Sequence, residues 1–193
     1  VLNRWHDWVG TFTGVVVITV LALPLAALAV WVLAHLRSAN GSSSAWRTSL
    51  ADVGIVYGTV PPVWMILLPG EEPGVAPGRV SLVPLADLLE IVADGATGQI
   101  VGNLLVFAAL GFFAPLRFAA LASVSRILAL GAGCSTLVET AQYVLQLDRV
   151  SSVDDVLLNA AGAGLAALAS RPWWRAAAGA SSDQPRPLSP QRS

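Results

Sequence analysis

Val15-Val-Val-Ile-Thr-Val-Leu-Ala-Leu-Pro24-Leu-Ala-Ala-Leu-Ala-Val-Trp-Val-Leu-Ala34 decides the fold class. Twenty residues pass here without a charge. At about 1.5 Å per residue, a helix of that length covers about 30 Å, the thickness of a bilayer's hydrocarbon core. A backbone in oil must satisfy its own hydrogen bonds, and a helix does so within one segment. The whole chain agrees with this stretch. It is 55% hydrophobic and 12% charged, with a mean hydropathy of +0.67. Soluble domains carry about 25% charged residues. The expectation is an all-α, polytopic membrane helical bundle over residues 1–175, followed by a tail, 176–193, too poor in apolar residues to fold.

About five spans are predicted, at Val9–Leu36, Leu50–Leu68, Gln99–Phe118, Ile127–Leu147 and Val153–Ser170. Pro24 marks a kink in the first, and Pro61-Pro62 is expected to break or bend the second. The fifth is short. A cleaved signal peptide at the first span is disfavoured by its length and by Arg37 after it. Between the second and third spans, Leu85, Leu88, Leu89 and Val92 oppose Asp87, Glu90 and Asp94. That i, i+3, i+4, i+7 spacing predicts a short amphipathic helix that rests on the membrane interface or caps the bundle.

Arginines orient the bundle. Every basic residue besides His6 and His35 is Arg. Arg37, Arg47, Arg117, Arg126, Arg171 and Arg175 share one side in a five-span arrangement, against Arg4, Arg79 and Arg149 on the other. The positive-inside rule then places the N-terminus outside and the C-terminus in the cytoplasm. Asp7, Glu71, Glu72, Asp87, Glu90, Asp94, Asp148, Asp154 and Asp155 fall on the outer side. Trp5 and Trp8 suit the outer boundary, and Trp46, Trp173 and Trp174 the inner one. No basic stripe points to nucleic acid. The two histidines lie on opposite sides and form no metal set, and Cys134 reads as a small core residue.

Polar residues within the spans carry the functional argument, because such groups are costly in a bilayer and turn toward the bundle interior. Measured from the outer ends of their spans, Asn103 lies roughly 6 Å deep, Gln142 roughly 7 Å, Glu139 roughly 12 Å and Asn159 roughly 8 Å. All fall in one leaflet. Ser135, Glu139, Gln142 and Gln146 form one stripe of the fourth span. Asp155, Asn159, Gly162 and Ala166 form another on the fifth, and Gly98 and Gly102 offer close packing on the third. Arg149 is placed to pair with Asp154 or Asp155 at the outer mouth. Buried amides often serve as interhelical glue, and acids favour a helix's first turn. Glu139 is harder to explain structurally, since a carboxyl in such a setting must be paired or protonated.

The run Gln99-Ile-Val-Gly-Asn103-Leu-Leu-Val-Phe107-Ala-Ala-Leu-Gly111-Phe resembles the VanZ-like family. So do Glu139-Thr-Ala-Gln142 and Arg149-Val-Ser-Ser-Val-Asp154-Asp155-Val-Leu-Leu-Asn159-Ala-Ala-Gly162. Ser81-Leu-Val-Pro84-Leu85 is a weaker match, with Ser81 where the family has Asn and Leu85 where it has Phe. Ser152 stands where the family's Asp-x-Asp-Asp pattern begins with Asp. The resemblance covers about residues 80–169. It implies a cell-envelope membrane protein, and an association with low-level resistance to the lipoglycopeptide teicoplanin.

Together these readings give a candidate ligand-binding cluster of Asn103, Glu139, Gln142, Arg149, Asp154, Asp155 and Asn159, without a metal or other cofactor. Its expected partners are a membrane lipid, a lipid-linked cell-wall precursor or a lipoglycopeptide. Two alternatives stand beside this binding role. One is a membrane-embedded enzyme acting on an envelope lipid through Glu139 or Asp155. The other is an accessory transporter subunit. The absence of a Ser-His or Cys-His pair weighs against the first. The absence of an inverted repeat weighs against a self-contained transporter.

Overall fold

The computed structural model describes residues 10–70, 73–74 and 79–182; the side chains of Arg79 and of residues 177–182 are excluded. Arg4, Trp5, His6, Asp7, Trp8, Glu71, Glu72 and the tail 183–193 lie outside the described residues.

Helix α1 (Phe12–Ala39) begins where Thr11 accepts a hydrogen bond from the Gly14 N–H, at 3.0 Å, through its side chain. That contact satisfies one of the N–H groups a helix start leaves free. Helix α2 (Ala45–Ile66) returns alongside it. A short strand β1 (Arg79–Ser81) and the amphipathic α3 (Ala86–Ala93) follow. Then come α4 (Thr97–Val106), α5 (Ala108–Arg117), a 3₁₀ turn at Ala119–Leu121, α6 (Val124–Val144), strand β2 (Val150–Ser152) and α7 (Val153–Ser182). The protein is an all-α membrane bundle. Among the described residues, its one extended feature is a two-stranded parallel ladder of β1 on β2, Arg79 opposite Val150 and Ser81 opposite Ser152.

Among the described residues, four stretches are long and apolar enough to cross a membrane: Phe12–Ala39, Ala45–Ile66, Thr97–Arg117 and Val153–Ala176. The fifth predicted span is therefore long, and helix α7 continues to Ser182, seven residues into the predicted tail. Ala176-Ala-Ala-Gly-Ala180 supplies strong helix formers there. Helix α6 has 21 residues but is absent from those four, because its polar stripe dilutes its apolar content. It nonetheless runs antiparallel along α7, with Gly131 against Ala160 and Ala163, Ser135 bonded to Asn159, and Glu139 bonded to Ser152. Pro61 and Pro62 do not break α2. Prolines are tolerated in such helices where neighbours compensate the lost backbone bond.

Helix α7 is the hub and packs on α4, α5 and α6. Helix α2 bridges α5 to α1, which leaves α1 peripheral. Its Leu21, Leu25 and Val20 are accordingly exposed, as lipid-facing residues are. Glycine sets the closest approaches. A Cβ on Gly162 would stand 1.9 Å from the Leu104 carbonyl oxygen, and one on Gly111 2.1 Å from that of Ala163. These contacts flank the break between α4 and α5 at Phe107. Gly98 and Gly102 do not share this role, because they face open space.

The bundle has an acidic end and an arginine end. At the arginine end, Asp52 accepts from Arg37 Nη2 and from Arg117 Nε, each at 2.6 Å, while Arg37 also donates to Ser49 at 3.0 Å. This tie joins α1, α2 and α5, and it gives Arg37 and Arg117 a packing role besides their topological one.

Candidate functional site

At the acidic end, a cavity of about 400 Å³ is lined by Ile66, Gln99, Asn103, Glu139, Gln142, Arg149, Val150, Asp155 and Asn159. Six of the seven residues in the predicted cluster meet here. Helix α4 supplies Asn103, α6 supplies Glu139 and Gln142, and α7 supplies Asp155 and Asn159. Arg149 comes from the α6–β2 connection. Asp154 is the exception, one residue and about 100° around α7 from Asp155.

Asp154 is 2% exposed and works on the backbone. Its Oδ1 accepts from the Leu85 N–H at 2.6 Å and its Oδ2 from the Leu88 N–H at 3.0 Å. It thereby caps α3 from another helix. Beside it, the Ser152 hydroxyl donates to Asp87, and Ser81 donates to the other Asp87 oxygen at 2.9 Å. Ser152 Oγ also accepts from the Asp154 N–H at 3.1 Å. A carboxylate at 152 would confront Asp87, so Ser152 suits this neighbourhood.

Arg149 pairs with neither Asp154 nor Asp155. Its Nε and Nη2 instead point to the Leu68 carbonyl, at 3.4 and 3.3 Å. Gln142 Nε2 donates to the Ile66 carbonyl at 2.7 Å. Both donate to carbonyls at the C-terminal end of α2: that of Ile66, in the last turn, which lacks helical partners, and that of Leu68, two residues beyond it. A cation there also complements the helix dipole. Gln142 and Arg149 therefore close the cavity wall by tying α2 to α6 and β2.

The remaining groups face the cavity with hydrogen-bonding capacity to spare. Glu139 Oε2 accepts from the Ser152 N–H at 3.1 Å, and the Ser151 hydroxyl donates to the Glu139 backbone carbonyl at 3.0 Å. Asn103 Nδ2 donates to Asp155 Oδ1. Asn159 is 2% exposed; its Nδ2 donates to Ser135 at 2.8 Å, but its Oδ1 has no partner. Among the described residues, neither Glu139 nor Asp155 forms a salt bridge. Among the described residues, no group of three or more His, Cys, Asp or Glu side chains is arranged to hold a metal.

Gln99 lines the cavity and was absent from the predicted cluster. Its position four residues before Asn103 on the same helix face was the available signal. Gln146 leaves the predicted stripe, because α6 ends at Val144 and Gln146 adopts a left-handed φ of 50°.

No curated protein matches the chain, and neither does any solved structure. The VanZ/LLP1 family model matches residues 54–175. The match begins within α2, ahead of the expected residue 80, and so includes the carbonyls that receive Gln142 and Arg149. It covers well over half the chain and every residue of the cavity, and the chain accordingly belongs to the VanZ/LLP1 family.

Proposed function

We propose that this VanZ/LLP1 membrane protein binds the polar part of an envelope amphiphile in the cavity at its acidic end. The observation that carries the reading is Asn159 Oδ1, buried in the cavity wall without a donor. An unpaired buried carbonyl costs about 1–3 kcal/mol, so it calls for a ligand or water donor. The cavity also holds two carboxylates that form no salt bridge among the described residues, Arg149 in the same lining being directed to the Leu68 carbonyl. Binding needs only these groups. A lipid-linked wall precursor and a lipidated glycopeptide both belong to the ligand class, the latter by family resemblance.

The test is the lipid that stays with the purified protein. Glu139→Gln and Asn159→Leu are expected to lower retained lipid, measured by mass spectrometry of the detergent-purified protein, about fivefold or more. Glu139→Gln is nearly isosteric and should keep the wild-type melting temperature. Wild-type lipid content in both variants, folded, would remove the reading.

The arginine bias favours the acidic end facing outward and the C-terminus in the cytoplasm. A cysteine introduced at Ser42, in the α1–α2 connection, is then expected to resist a membrane-impermeant maleimide in intact cells and to react after lysis. Labelling in intact cells would reverse the orientation.

A further inference from the structure

Glu139 belongs to two walls. One is that of the polar cavity. The other bounds an apolar groove of about 340 Å³ on the outer flank of α6, lined by Leu82, Thr136, Thr140, Tyr143 and Val156 among others. The two threonines do not make it polar. Thr136 Oγ1 donates to the Ala132 carbonyl at 2.9 Å and Thr140 Oγ1 to the Thr136 carbonyl at 2.7 Å, so both hydroxyls are satisfied within the helix. The apolar groove and the polar cavity thus share Glu139 in their linings.

The hydrogen-bond inventory of the chamber specifies the head group. Ionised carboxylates accept only. Asn103, Gln142 and Asn159 each give one of their two amide N–H bonds to the protein, and the Arg149 guanidinium, directed to the Leu68 carbonyl, keeps its positive charge in the lining beside Gln99. Against that one cation stand two acids, Glu139 and Asp155, and the orphan Asn159 Oδ1 is a further acceptor in the wall. Such a lining suits a group that is positively charged and carries N–H donors. An anionic group placed between Glu139 and Asp155 would meet like charge, whereas a phosphate beside the ammonium can lie toward Arg149.

We propose that the ligand is an amphiphile bearing a primary ammonium, with the ammonium held among Glu139, Asp155 and Asn159 and the hydrocarbon chain laid in the groove beyond Glu139. This rests on the lipid-binding reading of the cavity and adds the chemical class of its occupant. The ammonium supplies three donors for three acceptor groups and neutralises charge. The chain remains on the lipid side, so entry needs no path through the bundle.

The experiment reconstitutes the full chain in nanodiscs containing equal amounts of dioleoyl-phosphatidylethanolamine, -phosphatidylcholine and -phosphatidylglycerol. Lipids that survive release from the disc are counted by native mass spectrometry. Ethanolamine and choline lipids both carry a cationic nitrogen, but choline offers no N–H. The ethanolamine lipid is expected to be retained about tenfold over either of the others, with Glu139→Gln and Asp155→Asn each abolishing the preference. Thr140→Trp, at an exposed position, fills the groove and is expected to reduce retention about tenfold while the fold persists. Equal retention of the three lipids by the wild type, lost in Asn159→Leu, would leave the cavity reading standing and overturn the ammonium. Undiminished retention by Thr140→Trp would overturn the groove. Retention unaffected by Asn159→Leu would overturn the cavity reading itself.

Discussion

Valine in place of Gly162 is expected to prevent the bundle from assembling. The first added carbon would lie 1.9 Å from the Leu104 carbonyl oxygen, and 2.6 and 2.7 Å from the adjoining carbonyl carbon and Cα. These are backbone atoms of α4, so no rotamer change relieves the clash. Separating α7 from α4 would in turn disturb Gly111 on Ala163, the next contact along the hub. Overpacking a core costs about 1–3 kcal/mol when side chains can adjust. Against rigid backbone the cost is expected to be about 3 kcal/mol or more, a large part of the stability of most folds. The measurement is monodispersity and melting temperature of the detergent-purified protein. Gly133→Val is the control, because a Cβ there meets nothing within 4 Å. A Gly162→Val protein that melts with the wild type would show that α4 and α7 do not pack this closely.

The same residues show what a linear chain reveals. Val15–Ala34 declares a membrane helix because apolar length is a one-dimensional property. Depth along a helix is one-dimensional too, which is why the sequence assigns Asn103, Glu139, Gln142 and Asn159 to one leaflet; the four line one cavity. Partnership is different when the partner is backbone. Gln142 on the Ile66 carbonyl, Arg149 on that of Leu68 and Asp154 on the Leu85 and Leu88 N–H groups leave no side-chain signature. Opposite charge suggests an Arg149–aspartate pair, but the Leu68 carbonyl, just beyond the end of α2, takes the guanidinium. Small residues posed a similar ambiguity. Gly98 and Gly102 share the spacing of packing glycines, yet only the helix azimuth decides which glycines face a neighbour, and Gly111 and Gly162 do. The β1–β2 ladder, three residues a strand, is too short for an alternation to register. The polar stripe that exposed the cavity also made α6 the least membrane-like of the long helices.

Loss of the Asp154 carboxylate is expected to release α3 while the bundle stays folded. Helix α3 has no buried residue, and its Leu89 and Val92 are 69% and 58% exposed, as befits a helix lying at the membrane interface. Its inner face, Asp87, Leu88 and Ile91, is only half-buried, so packing alone holds it weakly. Its entry is strained as well, since Leu85 takes a φ of 67°, a left-handed conformation that costs about 1–3 kcal/mol in a residue other than glycine. Asp154 offsets that cost with two hydrogen bonds from α3's entry and first turn to one buried acceptor, each worth about 1.5–3 kcal/mol when the acceptor is charged. Asp154→Ala removes both. Hydrogen–deuterium exchange over residues 85–93 is expected to accelerate about a hundredfold or more, with the protection of α7 unchanged. Asp154→Asn, which keeps one acceptor, should fall between. The consequence reaches the cavity through Asp87, which ties α3 to Ser152, whose N–H in turn holds Glu139 Oε2. Asp154→Ala is thus expected to reduce lipid retention although Asp154 does not line the cavity. Unchanged exchange in α3 would mean that lipid or loop contacts hold this helix, and that the capping carboxylate is dispensable to the site.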